Sequence, residues 1–248
     1  MSKDGNGKEM PDNLRSLHFG EELLREKAMA FLTEAPHQRL HLDVIVQVMN
    51  LLDLYRQFET DDEDLKALQA LGIRCFNALG ASMKLILSGY SQAAALLLRD
   101  VLETSFLFDL MGSDHGQIAK WRLATRRDRM REFSALKVRE QLDKRDGFAG
   151  LKCAEHYQLL SELAGHASMT SLAMLRPQGM DIQIGPFIDP TVLEAVLSEM
   201  GKIVVHLGDI ATRIVPKHWS SVMIVCADYD KARRAWIDHF YSVDPNSV

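Results

Sequence analysis

Cysteine is scarce in this chain, and its spacing excludes two common roles. The 248 residues include three cysteines, Cys75, Cys153 and Cys226. Their number is odd, and long stretches of sequence separate them. A disulfide framework needs cysteine pairs, and a zinc site needs closely spaced ligands. Because each cysteine falls within an apolar helical pattern, we expect reduced, buried thiols in a protein of a reducing compartment.

Long uncharged apolar runs are also missing. A membrane-spanning helix needs roughly 18 or more such residues, whereas the most apolar stretch, residues 88–110, is interrupted by Arg99. The N-terminus lacks the pattern of a signal peptide. The sequence therefore predicts a cytoplasmic protein with no membrane partner.

Motifs for metals and cofactors are absent as well. There is no Gly-rich phosphate loop, no dinucleotide fingerprint and no HExxH segment. The one Glu-x-x-His match of a di-iron bundle runs from Glu34 to His37 and is broken by Pro36. His37 and His41 have a spacing that two metal ligands can use, but a surface pair at the start of a helix is the better interpretation. We predict no metal and no cofactor.

Apolar residues at helical spacing dominate the chain. They recur every three or four residues along most of its length, which is typical of amphipathic helices. The period is broken only in residues 168–190, at Pro177, Gly179, Gly185, Pro186 and Pro190. The sequence predicts an all-α fold, with a mobile tail at residues 1–18 and a single domain at 19–248. We expect a bundle of eight or nine helices, with an irregular loop or small hairpin near 168–190.

Residues 88–110 form the helix that the others should enclose. Charged or amide side chains occur in it only at Gln92, Arg99, Asp100, Glu103 and Asp109. A helix that is apolar nearly all round belongs in the interior. Arg99 and Glu103 lie four residues apart, on one face. They form either a structural ion pair or a functional one, in which the guanidinium fixes an anionic group or the carboxylate transfers a proton.

His166 ends the next strong helical pattern, LSELAGHAS, beside the irregular loop. A histidine at the end of a helix can act as a general acid or base, or it can cap the helix, and both interpretations stay open. Ser161 lacks the glycine-flanked elbow that exposes a nucleophilic serine. The candidate catalytic residues are therefore Arg99, Glu103 and His166.

A basic segment stands out against the net charge of −5. Residues 120–146 carry ten basic and five acidic side chains. Arg126, Arg127 and Arg131 are the candidates for binding phosphate or RNA, because closely spaced guanidiniums make charge-assisted hydrogen bonds to phosphate. The alternative is a salt-bridged surface, which the interleaved acids favour.

Two segments resemble a bacterial family of all-helical proteins that is known as a domain of unknown function. They are Gly-Tyr-Ser-x-Ala-Ala-x-x-Leu-Leu-Arg-x-x-Leu-Glu at residues 89–103 and Tyr-x-x-Leu-Ser-x-x-x-x-His-x-Ser at residues 157–168. The resemblance covers about residues 65–177. It implies that the shared polar residues Arg99, Glu103 and His166 line one internal site.

The general plan is also similar to the HEPN helical fold, whose active members are ribonucleases of toxin–antitoxin and phage-defence systems. This resemblance implies an arginine followed, after four to six residues, by a histidine. His166 lacks that arginine, since the nearest one before it is Arg145. Matches to the spacing occur at Arg213 with His218, and at Arg233 or Arg234 with His239.

Three hypotheses for function follow, and the sequence does not decide whether the protein is an enzyme. The first is a helical ligand-binding or interaction protein, expected to be a homodimer and to act in stress or phage defence, with Arg99, Glu103 and His166 at its site. The second is a HEPN-like, metal-independent endoribonuclease with RNA as its partner. The third is a metal-dependent helical-bundle hydrolase.

Overall fold

The regular secondary structure of the chain is helical. A computed structural model describes residues 12–147, 157–165, 169–177, 180–215 and 220–241, and no strand occurs within these ranges, so the predicted all-α class is confirmed. The elements are α1 Asp12–Glu34, α2 Pro36–Arg56, α3 Glu63–Leu87, α4 Ser91–Ser113, α5 His115–Leu123, α6 Arg126–Glu132, α7 Ala135–Asp146, a π-helical turn Ser161–Gly165, α8 Met169–Ala173, α9 Pro190–Ile214 and α10 Ser220–Tyr241.

The described ranges contain eleven helical elements, where the sequence predicted eight or nine. The difference comes from short elements, such as α8 and the π-helical turn, which lack the length needed for a clear apolar period. Helix α1 begins at Asp12, so it includes residues 12–18, which the sequence assigned to a mobile tail. Residues 180–189 contain neither helix nor strand, in agreement with an irregular loop and not with a hairpin.

Four long helices enclose the core. Helix α2 packs on α3, α3 on α4, α4 on α9, and α9 on α2, which closes a ring. Helix α10 packs on α2, while α5, α7 and the π-helical turn pack on α4. Thirteen of the 23 residues of α4 are buried, so the helix predicted to be enclosed does lie inside the bundle.

Side-chain caps fix two of the core helices. Asp62 begins α3, and its Oδ1 accepts a hydrogen bond from the backbone N–H of Asp64 at 2.8 Å. The sequence placed this cap at Thr60, two residues too early. Helix α9 begins as predicted, with Asp189 as the cap and Pro190 in the first turn, because proline lacks the N–H that would be unpaired there.

Helix α3 is the one element of the described residues with the length and composition of a membrane span. It buries eight residues against other helices, and the core helix of a soluble protein has the same composition. The cytoplasmic location stays a prediction.

Two of the three cysteines lie in described parts of the chain, and both are reduced thiols. Cys75 on α3 is buried and Cys226 on α10 is half-buried. Burial raises the pKa of the Cys75 thiol well above its usual range, so this side chain is an unreactive part of the core. Cys153 lies outside the described residues.

Candidate functional site

Helix α4 carries Arg99 and Glu103 on its least buried stripe. This stripe recurs at three- and four-residue steps and consists of Gln92, Leu96, Arg99, Glu103 and Leu107. The Arg99 and Glu103 side chains are 25% and 33% exposed, and 3.1 Å separates Nη2 of the first from Oε1 of the second. The predicted ion pair is formed, and it is half-buried at the edge of the bundle.

Tyr157 brings a second helical segment to Arg99. Arg99 Nη2 donates a hydrogen bond to the Tyr157 hydroxyl, and the guanidinium carbon lies 4.8 Å from the centre of the tyrosine ring. This hydrogen bond is the main cause that raises the pKa of Arg99, and the Glu103 carboxylate adds to it. Arg99 is therefore a cation held between a carboxylate and a phenol.

Arg139 of α7 lies against the same tyrosine. Its guanidinium carbon is 3.8 Å from the ring centre of Tyr157, and the residue is 9% exposed. A desolvated cation–π contact of this kind contributes up to about 2 kcal/mol. In the sequence, Arg139 was only one of the basic residues of the segment 120–146, whereas the fold turns it inwards. Arg99, Glu103, Arg139, Tyr157 and Ser161 are called the arginine–tyrosine cluster below.

Polar atoms without hydrogen-bond partners are concentrated at this cluster. Among the described residues, ten buried side-chain N and O atoms lack a partner. Four of the ten belong to the cluster, namely Arg99 Nε, Arg139 Nε, Arg139 Nη1 and Ser161 Oγ, and two more are the carboxylate oxygens of Asp143. Asp143 follows Arg139 by one turn on α7 and is 4% exposed. An unpaired buried polar atom costs about 1–3 kcal/mol, so native proteins keep few of them, and a group of six calls for an explanation.

The π-helical turn Ser161–Gly165 passes over Arg99. Single π-turns of this kind are frequent at functional sites. A methyl group at Gly165 would lie 3.3 Å from Arg99 Nη1, so this small residue allows the chain to approach the guanidinium. His166 comes next and lies outside the described residues. Whether it joins Arg99 and Glu103 stays a prediction.

The candidate phosphate-binding arginines lie elsewhere, on α6. Arg126 and Arg127 are exposed. Arg131 is paired with two acids, at 2.8 Å from Asp128 and 2.6 Å from Glu132. At Arg131, helix α6 therefore has the salt-bridged surface that was the alternative to phosphate binding. The guanidiniums of Arg126 and Arg127 face solvent.

His41 corrects one interpretation made from the sequence. It is 1% exposed and not on the surface, because α10 packs over this part of α2. Its Nδ1 accepts a hydrogen bond from Trp236 Nε1 of α10 at 2.8 Å. Burial is the main cause that lowers the pKa of His41 to about 4, so it is neutral at physiological pH. His37 is half-exposed. Among the described residues, no three His, Cys, Asp or Glu side chains form a group that could hold a metal.

Asp109 is the buried carboxylate of α4, and it was not among the site residues predicted from the sequence. It is 3% exposed. Arg145 of α7 donates to both of its oxygens at 3.1 and 2.9 Å, and Arg213 of α9 donates at 3.0 Å. Leu98 and Leu102 lie on the same face of α4 as Asp109. This apolar face is the sequence pattern that would have predicted a buried Asp109. Since both of its oxygens are bonded, Asp109 is a structural link between three helices.

The arginines of the ribonuclease-like spacings are each bound to a carboxylate. Arg213 donates to Asp109 as described above, and Arg233 contacts Asp209 at 2.7 Å. Arg234 lies 2.5 Å from Asp230. His218 lies outside the described residues. Arg213 and Arg233 therefore link helices of the bundle, whereas Arg234 forms a surface pair within α10.

The arginine–tyrosine cluster thus stands out among the described residues by its unpaired atoms. The resemblances named above rest on short segments and stay predictions. Comparison of the chain with protein-family models, with curated proteins and with solved structures gave no match.

Proposed function

We propose that the protein binds a small ligand with an anionic acceptor group, a carboxylate or a phosphate, at the arginine–tyrosine cluster. The observation that carries the proposal is the concentration of unpaired atoms there. Arg99 Nε, Arg139 Nε and Nη1 can only donate hydrogen bonds, and Ser161 Oγ can donate as well. An acceptor group on a ligand would pair with them.

The two guanidiniums of the cluster are the groups that suit an anion. Arg99 and Arg139 contribute two positive charges and Glu103 one negative charge, and the nearby Asp143 carboxylate brings the local sum to about zero. Asp143 stands one turn beyond Arg139, and its two unpaired oxygens accept hydrogen bonds. A hydroxyl or N–H group elsewhere on the ligand would suit Asp143, while the anionic group belongs on the guanidiniums.

The geometry favours binding over catalysis. Glu103, the carboxylate of the cluster, is paired with Arg99 at 3.1 Å. A general base needs a free acceptor within hydrogen-bond reach of the proton that it removes. Among the described members of the cluster, none is placed to act in this way.

Anion binding is expected to raise the thermal stability of the protein. With inorganic phosphate or acetate as the probe, at constant ionic strength, the free energy of unfolding should rise by about 2.7 kcal/mol at one hundred times the Kd. Arg139→Gln and Arg99→Gln should each weaken binding about tenfold or more, because each removes a charge-assisted hydrogen-bond donor. Calorimetric titration and the unfolding midpoint Tm measure the two effects.

The matched control is Arg56→Gln. Arg56 is an exposed arginine of α2 that pairs with Asp53 and lies outside the cluster. Its removal should leave anion binding unchanged. The proposal fails if neither anion binds saturably at millimolar concentration, or if all three variants bind as the wild type does.

A second candidate is a HEPN-like endoribonuclease. The observation in its favour is the exposure of Arg126 and Arg127 on α6, because exposed guanidiniums suit an RNA backbone. Purified protein incubated with total RNA should cleave it with and without a chelator. Cleavage should be lost in at least one of the variants His166→Ala, His218→Ala and His239→Ala. An intact RNA, or cleavage that all three variants retain, rejects this candidate.

A further inference from the structure

A pocket of about 510 Å³ opens on the side of the bundle where α3, α4, α5 and α7 meet. Its volume lies within the range of about 300–1,000 Å³ that is usual for small-molecule sites. Three buried side chains from three of these helices line it, namely Leu71, Thr104 and Val138. The pocket is therefore a gap between packed helices, and its size suits a small organic molecule.

Two aromatic side chains form part of its wall. Trp121 of α5 and Phe133, which follows α6, both line the pocket, and both are half-buried. The face of an aromatic ring attracts a cation, and tryptophan makes the strongest contacts of this kind. This part of the wall thus suits an apolar group that carries a positive charge.

Two carboxylates of α4, Asp100 and Glu103, line the same pocket. Their side chains are 32% and 33% exposed, so a ligand can reach them. Asp100 is paired through Oδ1 with Arg74 at 2.5 Å, and Glu103 through Oε1 with Arg99 at 3.1 Å. Each ion pair uses one oxygen, and a carboxylate has about four acceptor positions, so both groups can accept a further hydrogen bond from a ligand.

Arg74 is the cation on the wall of this pocket, and it is already bonded. Its Nη2 donates to Asp100 at 2.5 Å, and its Nε donates to Thr104 Oγ1 at 3.2 Å. Arg99, the partner of Glu103, is not among the residues that line the pocket. The wall therefore carries two carboxylates and one guanidinium, which favours a cation. Because both carboxylates are already paired, we expect a modest, millimolar affinity.

We propose that this pocket binds a primary organic ammonium ion, with its ammonium group on the carboxylates of Asp100 and Glu103 and its apolar group against the two aromatic rings. A primary ammonium has three N–H donors for these carboxylates, whereas a quaternary one has none. The inference goes beyond the proposed function, because the ligand has the opposite charge. Of the arginine–tyrosine cluster, only Glu103 lines this pocket.

Three compounds with the same aromatic ring provide the first test. 2-Phenylethylammonium should bind saturably to the full chain, about tenfold or more tightly than the uncharged 2-phenylethanol. Its N-trimethyl derivative keeps the ring and the charge but has no N–H donor, so it should also bind about tenfold more weakly. Isothermal titration at constant ionic strength measures these differences.

Two variants should change the affinity in opposite directions. Asp100→Asn removes a carboxylate from the wall and leaves Arg74 without its partner, so it should weaken 2-phenylethylammonium about tenfold or more. Arg74→Gln removes the competing cation, so it should strengthen the same compound about two- to fivefold. The matched control is Asp53→Asn, which breaks an exposed ion pair with Arg56 on α2, away from the pocket, and should change nothing.

The aromatic wall is tested by Trp121→Leu. Leucine keeps an apolar side chain at this position and removes the ring, so 2-phenylethylammonium should bind about two- to fivefold more weakly. The affinity for 2-phenylethanol should fall less, because an uncharged ligand gains no cation–π contact. If Trp121→Leu lowers the unfolding midpoint, Phe133→Leu replaces it.

Each outcome decides for or against the ammonium site. The inference is rejected if 2-phenylethylammonium does not bind saturably at millimolar concentration, or if 2-phenylethanol binds as tightly. It is also rejected if Asp100→Asn and Arg74→Gln bind the compound as Asp53→Asn does. Tighter binding of the trimethyl derivative would overturn the hydrogen bonds to the carboxylates. Acetate binding is a separate measurement, so the proposed anion site stands or fails independently of these results.

Discussion

Asp109→Ala is expected to lower the free energy of unfolding by roughly 3 to 4 kcal/mol. The Asp109 carboxylate is 3% exposed and accepts hydrogen bonds from Arg145 and Arg213. Removing it leaves two guanidiniums without their common partner and removes the polar link of α4 to α7 and α9. The loss should fall in the lower part of the usual range for buried pairs, because the arginine side chains are 32% and 61% exposed and regain some water.

Asp146→Ala is the matched control for this prediction. Asp146 also bonds Arg145, at 2.6 Å, but its side chain is 32% exposed, so its removal should change the free energy of unfolding by only about 0–1 kcal/mol. Equilibrium unfolding in urea measures both variants. Equal losses in the two variants would show that Asp109 is an ordinary surface partner of Arg145.

Gly89→Ala is expected to lower the free energy of unfolding by about 3 kcal/mol. Gly89, between α3 and α4, has φ +88, and an added Cβ would lie 2.7 Å from the backbone nitrogen of Phe187. That N–H donates to the Gly89 carbonyl at 3.2 Å and holds the loop before α9 against the core. Two contributions add up in this variant. The left-handed backbone of a residue with a Cβ costs about 1 kcal/mol or more, and the clash with Phe187 costs about 1–3 kcal/mol.

Gly147→Ala separates the two contributions. Gly147 ends α7 with φ +70, and an added Cβ meets nothing within 4 Å. This variant should therefore lose only the conformational part, about 1 kcal/mol. Urea unfolding that shows the same loss for both variants would mean that the loop is not held against Gly89.

The fold of the long helices was predictable because their apolar spacing is dense. Helix α4 was identified as the enclosed helix, and its buried face confirms the rule that an apolar helix is covered by its neighbours. Short elements such as α8 span too few residues to show a period. The burial of His41 was missed because its partner, Trp236, is almost two hundred residues away in the chain.

The candidate site was predicted only in part. Arg99 and Glu103 form the expected pair, since a four-residue spacing on one helix fixes their proximity. Arg139 and Tyr157 come from separate elements, and no local pattern relates them to Arg99. This long-range contact follows from the packing of α7 and the segment 157–165 on α4. The spacing of residues in the sequence does not predict that packing. The homodimer, the cytoplasmic location and a role in stress or phage defence stay predictions.

The most direct test of the central claim is the NMR spectrum of the arginine Nε–H groups during a titration with acetate. Arg99→Lys and Arg139→Lys variants assign the two signals of the arginine–tyrosine cluster. We expect both signals to shift saturably with one common Kd, while the signal of the exposed Arg56 stays in place. Signals of Arg99 and Arg139 that do not move, or that move no more than that of Arg56, would contradict ligand binding at this site.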